Sequence, residues 1–351
     1  MDPVTRADIE VMADAIVNDG SVVPFLGAGV NLSGRPEGSK FDDGGFLPDA
    51  RELAAVLAKV VPSYTRALRN DLLRAAQCIW QKRGWKRLYE TLHDVFDRDD
   101  YEPADVHSFL AELPEQMASL PSPPAEPYLL IATANYDDML EKALTDAGAP
   151  FDVVRYAALG DHAGRFLHHK VDANGGASKA EVIVDPAVYG DEGWFVQRTV
   201  ILKLHGAVTR GGDPKGNDDS YVITEDDYIR YLTRISKLLP KGIKAKLMHS
   251  SMLFLGYSMR DWNLRALFHL LWEEQKGGWR SWAIQQPLDP LGEDPTPEQE
   301  EEYELRELEH SLDEQFWDEQ SNVKPYKLDL RVFIGALREA VDEALEQARR
   351  V

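Results

Sequence analysis

SVVPFLGAG, residues 21–29, strings five apolar residues together and then breaks into a glycine turn. A short apolar run with no polar alternation is what a strand buried on both faces looks like. Three more runs of this kind follow: LLIATANYD (129–137), TVILKLHG (199–206) and SSMLFLGYS (250–258). FDVVRY (151–156) and SWAIQ (281–285) are shorter strand candidates. Helical spacing of apolar residues fills much of the chain between them, as in DDMLEKALTDAG (137–148) and RDWNLRALFHLLW (260–272). Buried strands alternating with helices specify an α/β fold, a Rossmann-like, doubly wound and mostly parallel sheet with both faces covered. Pro24 lacks a backbone N–H, which by itself points to an edge or irregular strand at 22–26.

Outward from that first strand, residues 1–19 read as an N-terminal helix stopped by Asn18-Asp19-Gly20. The glycine-rich stretch 30–49 reads as a long loop, and long loops beside a glycine turn are often lids. Residues 51–127 form a mainly helical inserted subdomain, closing in a Pro/Ser/Ala-rich linker at 114–127. The Rossmann-like core then comprises 20–50 and 128–351. Within it, 157–198 is irregular, with a hairpin expected around Gly175-Gly176. Thr224 is placed to cap a helix running to Leu239, and 330–347 is a final helix.

The net charge of −21, from 60 acidic and 39 basic residues, repels phosphate backbones and anionic lipid, so neither nucleic-acid binding nor membrane binding is expected. Much of the excess lies between Glu293 and Glu319, the pattern of a solvated helix face or linker. A single cysteine, Cys78, excludes an intrachain disulfide and a multi-cysteine zinc site; its apolar neighbours place it in a core. The first residues lack a signal-peptide pattern and no run reaches membrane-span length, so a soluble, cytoplasmic protein is expected.

Chemistry gathers at the strand ends. In open α/β sheets, ligands sit beyond the carboxyl ends of the strands. Gly27-Ala28-Gly29 is a turn that admits close backbone approach to a phosphate, although the full GxGxxG pattern is absent. Asn135 can hydrogen-bond ribose hydroxyls or a water, and Asp137 stands beside it; both can equally cap the next helix. His205 offers a base near neutral pH. Gly256 and Ser258 repeat the pattern at the fourth strand, where Ser258 is also a plausible helix cap. If the sheet is parallel, all four ends share one rim.

In order, FLGAG, TANYDDMLE, KLHG and FLGYSMRDWNLR resemble the sirtuin superfamily, and more closely the bacterial sirtuin-like domain of phage-defence proteins. The helix containing Gln77, YVITEDDYIRYL and SWAIQ fit the same pattern, so the resemblance runs from about 20 to 345. It implies that NAD+ is the substrate and that Gly27, Ala28, Gly29 and Asn31 hold its pyrophosphate and neighbouring ribose. It further implies that Asn135 orders the nicotinamide ribose or the attacking water, that Asp137 faces the carboxamide, and that His205 is the base. Gly256 and Ser258 would line the adenosine side. Protein deacylases of the superfamily carry a four-cysteine zinc ribbon, which this chain cannot build, so no zinc is expected. Hydrolysis of NAD+ to ADP-ribose and nicotinamide is therefore the implied activity, with deacylation, ADP-ribosyl transfer or a non-catalytic NAD or ADP-ribose sensor as alternatives. The resemblance also implies a gated antiphage effector that forms a homo-oligomer and works with a partner such as a HerA-type ATPase.

Overall fold

The computed structural model describes residues 3–36, 38–189, 194–212, 219–257, 266, 268, 280–288, 291 and 296–350. Its strands are β1 (Val22–Leu26), β2 (Leu130–Thr133), β3 (Phe151–Ala157), β4 (Arg165–Val171), β5 (Glu181–Val182) and β6 (Thr199–Lys203). They continue with β7 (Gly206–Ala207), β8 (Ser220–Tyr221), β9 (Ser251–Leu255), β10 (Ser281–Gln285) and β11 (Val323–Lys327). Among the described residues, one sheet has the order β11-β10-β9-β1-β2-β6-β3-β4-β5, and β7 pairs with β8 separately. Every neighbour pair from β11 to β3 is parallel; β4 and β5 extend the sheet antiparallel. The sheet is thus the mostly parallel, doubly wound one expected from the sequence.

From β1 the chain moves one way through β2, β3 and β6, then returns to the other side of β1 at β9. The winding reverses between β1 and β9, and such a reversal opens a crevice at the carboxyl ends of the two strands. Register places Leu26, Thr133, Lys203 and Leu255 in one row across β1, β2, β6 and β9. The next residues of each strand end therefore meet at a common level.

Two cores follow from period-two alternation along the strands. Leu26, Ile131, Ile201 and Leu253 face helices Pro3–Val17, Asp105–Ala118, Met139–Asp146 and Leu330–Ala348. Phe25, Ala132, Leu202 and Phe254 face helices Glu225–Leu232 and Lys241–Met248, with Trp317. Thr224 caps the first of these, accepting from the Asp227 N–H, but that helix ends at Leu232 and a separate short one covers Ile235–Leu238.

The expectation that Pro24 would push its strand to an edge is overturned: β1 lies between β9 and β2. The reason is parity. Gly27 N–H bonds Leu255 on the β9 side, so alternate residues face β9 and the ones between face β2. Pro24 falls on the β2 side, where the ladder starts only at Phe25, so the missing N–H removes no bond the sheet makes.

Helices Ala50–Lys59, Leu72–Arg83 and Trp85–Phe96 build a third core, closed by Tyr136 and Tyr221 from the sheet side. Helix Asp105–Ala118 instead joins the first core through Phe109, Leu110 and Met117, and it runs through Pro114. The loop before this block is stapled rather than loose. Buried Arg35 pairs with Glu52 at 2.7 Å, and Glu52 also accepts from the Phe41 and Asp49 N–H groups. The hairpin around Gly175-Gly176 forms between β4 and β5, with Gly176 N–H on the Asp172 carboxylate. The acidic run is helical over Pro297–Ser321.

Candidate active site

The glycine turn and the β9 end are interlocked. Gly27 N–H donates to the Leu255 carbonyl at 3.0 Å and Gly29 N–H to the Gly256 carbonyl at 2.8 Å. A Cβ on Gly29 would stand 2.6 Å from the Gly256 oxygen, and one on Gly256 would stand 2.2 Å from the Val30 nitrogen. Gly256 also has φ +62°, which side-chain-bearing residues rarely adopt. Glycine is thus required here first for two backbone turns to cross. The turn's amides at 27 and 29 are occupied by that crossing, and Ala28 at the tip is half-buried.

Asn135 follows β2 and is buried, its N–H on the Thr133 hydroxyl at 3.0 Å. Its side-chain Nδ2 donates to the Gly27 carbonyl at 3.2 Å, which fixes the amide against the glycine turn. Asp137, also buried, does two jobs. One carboxylate oxygen accepts from Met139 N–H, capping helix Met139–Asp146, and the other accepts from Asn31 Nδ2 at 2.9 Å. The Asn31–Asp137 and Asn135–Gly27 bonds are therefore two separate ties between the turn after β1 and the end of β2. The Asn31 Oδ1 oxygen is buried with no partner among the described residues. A buried acceptor left in this state costs free energy, and a ligand donor would satisfy it.

His205 lies two residues beyond the Lys203 position that pairs with Thr133, as Asn135 lies two beyond Thr133. Asn135 and His205 thus each follow, by two residues, a paired position at the ends of neighbouring strands. His205 is buried and its ring is held edge-on by Tyr228 and Tyr231, centroids 5.2 and 5.5 Å away. The Tyr228 hydroxyl lies 3.4 Å from Nδ1. Behind it, Gly206 at φ +85° lets the chain turn into β7, because a Cβ there would meet the Ser220 oxygen at 2.2 Å.

Beneath these groups is a charged layer that the sequence reading did not anticipate. Lys203 is 1% exposed, and its ammonium donates to the Asp137 backbone carbonyl and to Glu141 Oε1, the latter at 2.7 Å. It ties the β6 end carrying His205 to the turn carrying Asn135. His107, 1% exposed, sits against the same turn; burial pushes its pKa down, with the Asp137 carboxylate opposing and Lys203 assisting. Its Nδ1 accepts from Ala104 N–H at 3.0 Å, so the proton of the neutral ring is on Nε2. A lysine inside TVILKLHG was a visible signal, since an unpaired charge in a buried strand is too costly to stand alone. Nothing in the local pattern distinguishes His107.

Of the residues expected in the site, Gly27, Ala28, Gly29, Asn31, Asn135, Asp137, His205 and Gly256 converge at the carboxyl rim of β1, β2, β6 and β9. Ser258 lies outside the described residues. Gln77 is buried farther out, bonded through Nε2 to Asp226 at 3.0 Å at the start of helix Glu225–Leu232. Among the described residues, no group of three or more His, Cys, Asp or Glu is arranged to hold a metal ion.

A doubly wound α/β sheet with polar side chains gathered at its winding reversal defines a ligand-binding domain of the Rossmann-like class. The sequence model of the SIR2-like domain family matches residues 129–310, more than half of the chain, and the protein belongs to that family. It is 27% identical over 192 residues to the NAD(+) hydrolase ThsA of Cytobacillus dafuensis. That similarity covers 55% of this chain and 28% of the relative. Asn135, Asp137, His205 and Gly256 fall inside the family match; the glycine turn at 27–29 precedes it.

Proposed function

We propose that the chain hydrolyses NAD+ to ADP-ribose and nicotinamide. One observation carries the reading: Asn135 and His205 each lie two residues beyond a paired position at the ends of neighbouring strands, with Asn135 bonded to the glycine turn. The similarity to an NAD(+) hydrolase supports it. Nicotinamide departs with the electron pair of the glycosidic bond, leaving positive charge spread over the ribose. Water then adds to the anomeric carbon and gives up a proton, so the site has to position a water and accept that proton. Asn135 positions the water and the nicotinamide ribose, and His205 takes the proton from the water or an adjacent hydroxyl. Asp137 presents its carboxylate to the carboxamide, and the Asn31 Oδ1 oxygen gains a donor from the ligand. Gly27, Ala28 and Gly29 border the pyrophosphate, and Gly256 and Ser258 the adenosine side.

NAD+ loss harms the cell that makes such an enzyme, so turnover is gated, in keeping with an antiphage effector that acts as a homo-oligomer with a partner such as a HerA-type ATPase. The test is to incubate the pure chain with NAD+, alone and with the protein encoded beside it, and to separate the products by chromatography. Equal amounts of nicotinamide and ADP-ribose are expected. Release that requires an added acyl-peptide would identify a deacylase instead; tight binding without turnover under every condition would identify a sensor.

A further inference from the structure

Helix Pro297–Ser321 carries eleven acidic residues and a single arginine, Arg306. Among its described side chains, two anchor it on one side. Trp317 is 1% exposed and packs in the core beside Phe254, and Glu314 pairs with Lys327 of β11 at 3.0 Å. Leu305, Leu308 and Leu312 are 55, 55 and 57% exposed. At about 100° per residue they form one stripe, turned roughly 120–180° around the helix from Trp317. The anchoring face and the leucine stripe therefore point in opposite directions, and no rotation of the helix can bury both.

Spacings of three and four residues between leucines make the a/d seam of a helix–helix pair. Glu301 continues the stripe toward the helix start and Glu304 and Glu307 lie along one flank of it, all exposed. A second copy of the same helix would bring two strongly negative faces together, which like-charge repulsion opposes. A helix with leucines at the seam and Lys or Arg along its flanks would satisfy both the apolar stripe and the field. We infer that the outer face of helix Pro297–Ser321 is a docking surface for a basic amphipathic helix of a partner protein. This deepens the partner part of the proposed function, and its test requires no NAD+.

The probe is a synthetic peptide of about three heptads with Leu at a and d and Lys at e and g, titrated into the full chain and read by fluorescence anisotropy. The matched control peptide carries Glu at e and g. The decisive variant is Leu305→Gln/Leu308→Gln/Leu312→Gln, which keeps every charge and uses a residue that favours helix. Circular dichroism and thermal unfolding confirm that it is folded. The expected result is that the lysine peptide binds the wild type, the glutamate peptide does not, and the triple variant binds roughly a hundredfold more weakly or worse. Equal binding to wild type and triple variant would reduce the surface to bare electrostatics and overturn the inference. So would dimerisation of the wild type that the triple variant abolishes, since the occupant would then be a second copy.

Discussion

The two ends of the sheet differ in what they offer a ligand. Beyond the carboxyl ends of β1 and β2 two polar pairs, Asn31–Asp137 and Asn135–Gly27, tie the turns together, and the Asn31 Oδ1 acceptor has no partner among the described residues. At the amino ends lies a cavity of about 810 Å³, lined by Gly20, Ser21, Glu126, Phe195, Lys246 and Ser250 among others. Its polar groups are largely spent on one another. Lys246 bonds the Gly20 carbonyl at 2.8 Å and Glu126 at 2.6 Å, and its ammonium lies 5.4 Å from the Phe195 ring centre. Converging polar side chains with one buried acceptor unpartnered among the described residues mark the carboxyl end as the candidate site.

If that contrast is right, the two ends respond differently to damage. Gly256→Val puts a branched side chain where the Val30 nitrogen already stands and forces a residue with φ +62° into strain. A loss of roughly 3 kcal/mol or more in urea unfolding is expected, together with loss of NAD+ cleavage. At the other end, Lys246→Met removes the ammonium from the Gly20 and Glu126 oxygens. About 1–2 kcal/mol of stability goes with it, while turnover of the folded protein stays at the wild-type level. Equal loss of activity in the two variants at matched folded fraction would erase the distinction.

The smaller effect concerns pH. His107 is held neutral by burial, so its folded pKa lies below the unfolded value. Below about pH 6.5 the unfolded chain gains a proton that the folded chain refuses, so stability is full above that pH and falls as the solution is acidified. His107→Gln should flatten the dependence just below pH 6.5, by up to about 1.4 kcal/mol per pH unit. Urea titrations of both proteins across that range check the slope; parallel curves would show that His107 takes its proton in the fold.

How much of this was legible beforehand depends on the range of the interaction. Continuous apolar runs such as LLIA and VIL are local, and they located the parallel strands and the carboxyl ends that Asn135 and His205 follow. Pro24 misled because its cost depends on which neighbour its missing N–H would have faced, a fact of pairing rather than of sequence. The glycines were read as admitting a phosphate, whereas the backbone that comes close to them is the chain's own at Gly256. The bonds from Asn31 to Asp137 and from Lys203 to Glu141 join residues 106 and 62 positions apart, and no local pattern encodes them.

The sharpest test of the account is nicotinamide release by three proteins, wild type, Asn135→Ala and His205→Gln, assayed side by side with the neighbouring-gene protein present. The account predicts steady release by the wild type and a drop of at least about a hundredfold in each variant, with thermal unfolding midpoints close to the wild type. Wild-type turnover in either variant, or a wild type that binds NAD+ and never cleaves it, would contradict the account.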